Sequence, residues 1–159
     1  MHKGKMRWGH KTMQQGVAGN RWLIFLRIFI GAYFVWRGVV KLTTSPEIWM
    51  VPRVTPALPR TPLAPLITGF VYPHMTAVSL VLGLIEVIFG AMMVLNQPRV
   101  AGLVLASLNI LFFLTLGATE HDDMALNVVM GTLNLMFYFS AEPLRRKGKM
   151  STRKYSARH

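Results

Sequence analysis

Four apolar stretches, approximately Trp22 to Leu42, Met75 to Leu95, Val100 to Ala118 and Met124 to Ala141, dominate the 159-residue chain. Each is close to the roughly 20 residues that a helix needs to cross a hydrocarbon core of about 30 Å. The first contains Arg27, Arg37 and Lys41 and the second contains Glu86, whereas the third and fourth carry no formal charge. A soluble helical bundle requires a polar face on each helix, and the last two stretches have almost none. The expected fold is therefore all-α: an integral membrane four-helix bundle spanning residues 22–141, with basic tails at 1–21 and 142–159. Only 15% of the residues are charged, against about 25% in soluble domains.

That low charge content coexists with a net charge of +12, so the position of the charges matters. Thirteen of the 18 Lys and Arg residues fall before the first span, between spans two and three (Arg99), or in the tail from Arg145 to Arg158. The opposite side carries Arg53, Arg60, Glu47, Glu120, Asp122 and Asp123. By the positive-inside rule both termini are expected on the cytoplasmic side of the membrane. The basic ends suit a surface of anionic lipid. Only Trp8 and Tyr155 stand among the tail charges, which is no stacking platform, so nucleic acid is not an expected partner. The basic start and the apolar run from Leu23 have the polarity of a signal peptide, but the run continues past Arg37 without a small-x-small exit, and a retained first helix is expected.

The segment from Thr43 to His74 holds seven of the nine prolines, which regular helix cannot accommodate at that spacing. It is nevertheless rich in apolar residues. The expectation is a long Pro-rich outer loop between spans one and two, ordered as a cap with short helical pieces, with Trp49 and Tyr72 as anchors at the level of the lipid headgroups.

Each span also carries a stripe of small and polar residues at helical spacing. The stripes run through Arg27, Gly31, Phe34, Gly38 and Lys41; Ser79, Gly83, Glu86 and Gly90; Gly102, Ala106, Asn109, Phe113 and Gly117; and Asn127, Gly131, Asn134 and Tyr138. In lipid, helix faces that meet are marked by small residues and by polar groups that hydrogen-bond across the seam. The stripes are expected to face inward in a left-handed bundle, with Arg27, Arg37, Lys41, Glu86, Asn109, Asn127 and Asn134 forming a buried polar centre. An unpaired charge there is costly, so Glu86 needs a partner or a proton. Arg27, judged close in depth, is the expected partner. Arg37 is expected either to snorkel outward with Lys41 or to bind an anionic group under the cap. The Arg27 and Glu86 pair reads either as a structural ion pair or as a catalytic pair beside a quinone-like ligand.

Absence of cysteine excludes disulfides, thiolate chemistry and iron–sulfur ligation by this chain. His74, His121 and Asp122 are weak metal candidates whose spacing matches no metal motif, so no metal is expected. Acidic residues before the fourth span also suit a helix N-terminus. The eleven methionines read as packing residues.

The segments Leu26-Arg27-Ile28-Phe29-Ile30-Gly31, Trp36-Arg37-Gly38-Val39-Val40-Lys41 and Gly83-Leu84-Ile85-Glu86, followed by Gly90, resemble the DoxX/DoxD-like family of small four-helix membrane proteins. The likeness spans about Arg21 to Ala141, with Arg27, Lys41 and Glu86 on the family pattern. It implies a protein of the bacterial or archaeal cytoplasmic membrane near quinone chemistry, since the family includes a subunit of thiosulfate:quinone oxidoreductase. The leading expectation is a noncatalytic accessory subunit of a larger membrane redox or energy-converting complex. Other membrane subunits and membrane lipids would be its partners, and quinone or bound lipid its ligand. A catalytic subunit passing electrons to quinone, and a small transporter or lipid-binding protein, are the alternatives.

Overall fold

The computed structural model describes residues 21–116 and 121–140. The expected ends of spans three and four, Gly117, Glu120 and the tails 1–20 and 142–159 lie outside the described residues. All the regular structure among the described residues is helical: α1 (Arg21–Thr43), α2 (Pro46–Trp49), α3 (Val51–Ala57), α4 (Ala64–Leu66), a π-helical turn (Ile67–Val71), α5 (Met75–Val94), α6 (Pro98–Leu116) and α7 (His121–Ser140). Helices α1, α5 and α6 are each long and apolar enough to cross a membrane. Helix α7 has 20 residues too, but Asp122, Asp123, Asn127 and Asn134 dilute its apolar content.

The long helices associate as two intimate pairs, α1 with α5 and α6 with α7, joined chiefly through α5 and α6. In the first pair glycine meets glycine. A Cβ at Gly31 would lie 2.7 Å from the Gly90 carbonyl oxygen, and one at Gly38 would lie 2.6 Å from that of Gly83. Each helical glycine costs about 1 kcal/mol relative to alanine, but only glycine lets the two backbones approach this closely. The second pair uses one such contact, with a Cβ at Gly102 falling 2.6 Å from the Asn134 carbonyl oxygen. Between the pairs lies an apolar core that includes Ile30, Phe34, Met93, Leu105, Phe112 and Phe137. The faces turned outward, from Trp22 and Phe25 on α1 to Val129 and Phe139 on α7, are exposed and apolar.

Local chemistry explains the connections. Asn96 adopts a left-handed conformation (φ 66°) just past α5, and Gln97 N–H reaches back to the Met92 carbonyl at 2.9 Å. This closes the helix in a Schellman arrangement, and Pro98 starts α6 where no amide donor is needed. The Pro-rich segment is less a loop than a chain of short helices. Pro46, Pro52 and Pro65 sit in the first turns of α2, α3 and α4, where a missing N–H leaves no intrahelical bond unmade. The segment caps one end of the bundle. Thr61 donates to the Leu114 carbonyl near the end of α6 at 2.7 Å, and the Thr55 and Tyr72 hydroxyls lie 2.9 Å apart across the cap.

The small and polar stripes are buried on all four long helices except at Arg27 and Tyr138, which are half-buried like Arg37, and at one aromatic on α6. Phe112 is buried there and Phe113 is exposed. The aromatic that faces α1 is therefore one position earlier than the spacing predicts.

Candidate functional site

The buried polar centre is organised around Lys41, not Arg27. Lys41 Nζ lies 2.5 Å from Glu86 Oε2, and both side chains are almost wholly removed from solvent. The expected pairing of Arg27 with Glu86 is overturned: the Arg27 guanidinium donates instead to Asn96 Oδ1 at the far end of α5.

Side-chain direction supplies the physical reason. The glycine contacts set the register, so Glu86, three residues past Gly83, stands level with Val35, three before Gly38. Lys41 is then six residues away along α1, about 9 Å, and Arg27 eight residues, about 12 Å in the other direction. Side chains on a helix lean toward its N-terminus. In an antiparallel pair Lys41 and Glu86 therefore lean toward each other, while Arg27 leans away.

A short chain of hydrogen bonds ties this pair to the cap. Trp49 Nε1 on α2 donates to Ser79 Oγ at 3.2 Å, and Ser79 Oγ donates to the Lys41 carbonyl at 3.1 Å. The Lys41 ammonium lies 5.2 Å from the Trp49 ring and 5.4 Å from that of Phe112, within range of cation–π attraction. Trp49 is thus a wall of the site.

Beside Lys41 is a cavity of about 280 Å³ bounded by α1, the cap and the first turns of α7. Its cations are Arg37, Lys41 and Arg53, its aromatic walls Tyr33, Trp36 and Trp49, and its carboxylate Asp123. The Arg37 guanidinium carbon is 5.8 Å from the Tyr33 ring and 5.3 Å from the Phe112 ring, so it is held between two aromatic faces. Of the two expectations for Arg37, the structure places it under the cap; Lys41 does not snorkel but is buried. A second cavity of about 220 Å³ lies on the other side of Lys41, toward Thr76 and Ser79.

Several polar atoms here are buried without a hydrogen-bond partner: Glu86 Oε1, Asp123 Oδ2, Asn127 Oδ1 and both amide atoms of Asn134. The asparagines do not bridge helices as expected. Asn109 donates to Leu105 O and Asn127 to Asp123 O, both at 2.7 Å within their own helices, because a short amide can reach the carbonyl four residues back.

His74 packs its ring 5.2 Å from that of Phe70, and His121 and Asp122 are exposed at the start of α7. Among the described residues no three His, Asp or Glu side chains gather as a metal-binding group.

The sequence reading missed Tyr33, Trp49, Arg53 and Asp123 as members of one site. Part of the signal was present, since Tyr33, Arg37 and Lys41 recur every fourth residue and so share a helix face beside the glycine stripe. Arg53 and Asp123 join them only through the fold.

Comparison with known protein families, with curated proteins and with solved structures found no match.

Proposed function

We propose that this chain is a four-span protein of a bacterial or archaeal cytoplasmic membrane that holds the polar head of a membrane amphiphile, a lipid or a quinone. It would serve as an accessory subunit of a larger membrane redox or energy-converting assembly. Helix α7 is its fourth span, both termini are cytoplasmic, and the cap lies on the outer side. The likeness to the DoxX/DoxD-like family supports this setting.

The observation that carries the reading is the cavity beside the Lys41 and Glu86 pair. It combines three cations, aromatic walls and an apolar rim at the depth of the cap. Aromatic surfaces with a few convergent polar groups are what small-ligand sites are built from. The exposed apolar faces of the long helices suit lipid and neighbouring subunits alike.

Purification from native membranes in mild detergent tests the proposal through the chains, lipids and quinones that copurify. Cofactor-bearing subunits and a stoichiometric amphiphile are expected; a lone chain free of bound amphiphile would overturn it. Topology is open to single-cysteine labelling, because the chain contains no cysteine. Asp122→Cys should react from outside the cell and Arg99→Cys only after permeabilisation, and the reverse pattern would invert the orientation.

A further inference from the structure

The charges around the cavity are unequal in what they leave unsatisfied. Lys41 is neutralised by Glu86, the ion pair found among the described residues. Arg37 and Arg53, one on the α1 wall and one on the α3 roof, have no acidic partner among the described residues. Asp123 faces the same cavity from α7, with its Oδ2 buried and unpartnered. Among the described residues the site therefore presents two guanidinium groups without an acidic partner and one carboxylate without a cation. A purely anionic head would satisfy the arginines and leave the buried Asp123 Oδ2 unpaired and repelled.

From these complementary charges we infer that the cavity recognises a zwitterionic phospholipid head in which a phosphate diester is joined by a short linker to a primary ammonium. Its phosphate is taken by Arg37 and Arg53 and its ammonium by Asp123. This rests on the proposed reading of the cavity as an amphiphile site and names the amphiphile's class.

Three features support the assignment. Arg37 is already held between Tyr33 and Phe112, so its planar fork is oriented before a phosphate arrives. The volume of about 280 Å³ admits a headgroup and not the acyl chains. The cavity lies in the seam between α1 and α7, where Trp36 is 63% and Leu126 38% exposed, so chains can remain on the apolar outer faces while the head enters sideways. A primary ammonium also donates to a carboxylate in a charge-assisted bond, which the quaternary ammonium of a choline head cannot do.

Native mass spectrometry of the full chain, exchanged into micelles containing equimolar dioleoyl-phosphatidylethanolamine, -phosphatidylglycerol and -phosphatidylcholine, tests this. The wild type should retain the ethanolamine lipid about tenfold over each of the others, the preference that one such contact gives. Asp123→Asn keeps a residue suited to a helix start and should abolish that preference while lipid remains bound; Asp123→Glu should restore it. Arg37→Gln should weaken all three lipids. Preference for the glycerol lipid, or an unchanged preference in Asp123→Asn, would overturn the ammonium contact while leaving the cavity as a lipid site. Failure to retain any lipid, with Arg37→Gln behaving as wild type, would overturn the cavity reading itself. In a separate arm, displacement of the lipid by a small excess of soluble glycerophosphoethanolamine would show that a free headgroup is the ligand and would overturn the assignment to a lipid.

Discussion

In the α1 and α5 pair, glycines face one another at two levels and a buried lysine and glutamate close the seam between cap and core. In the α6 and α7 pair, one glycine meets a backbone carbonyl, and the polar residues are asparagines that bond within their own helices or not at all. Both pairs bring backbones close in an apolar setting, but only the first does so around charge. The difference separates packing from chemistry. The second pair completes the bundle and lends Asp123 from the start of α7, whereas the first holds the buried ion pair beside which Arg37, Trp49 and Arg53 form the rest of the candidate site.

The ion pair should carry the largest effect. Glu86→Leu leaves Lys41 as a lone buried charge and should destabilise the protein by about 3–5 kcal/mol, read as a shift in the denaturing-detergent unfolding midpoint. The double change Lys41→Met with Glu86→Leu should recover most of that loss. A double variant as unstable as the single would show that the two residues do not form a unit.

Backbone contact comes next. Gly38→Ala places a Cβ 2.6 Å from the Gly83 carbonyl oxygen and Gly102→Ala one 2.6 Å from that of Asn134. Each should cost about 1–3 kcal/mol, as overpacking does. Gly131→Ala meets only Asn109 Cβ at 3.4 Å and should be neutral or stabilising, since alanine favours helix by about 1 kcal/mol. Equal losses at Gly38 and Gly131 would deny that close approach is what the glycines serve.

Smaller effects sharpen the contrast. Arg27→Gln removes the contact with Asn96 and should lower stability by about 1 kcal/mol, the scale of one hydrogen bond. Asn134→Leu removes two amide atoms that have no partners. It should change the unfolding midpoint less than Arg27→Gln, and a larger loss would show that Asn134 has a polar role in the seam.

Much of the bundle was legible beforehand because it is local. The stripes containing Gly31, Gly38, Gly83, Glu86, Gly102 and Gly131 follow from helical periodicity, and those residues are buried. The shift from Phe113 to Phe112 shows the limit of that periodicity, because adjacent aromatics differ by one step and only packing against α1 chooses between them. The site was less legible. Arg27 looked like the partner of Glu86 when depth was counted from span ends, a measure that ignores the direction in which side chains lean.

By itself, the sequence determined long apolar helices with one small and polar stripe each, since spacing along a single helix encodes which residues share a face. It also determined that charge would be scarce inside and that Glu86 would need a partner. Which cation meets Glu86, and which residues from the cap and α7 gather around it, only the tertiary structure decided. Those choices depend on the register of glycine against glycine and on opposed side-chain directions in an antiparallel pair, and neither exists until two helices are in contact.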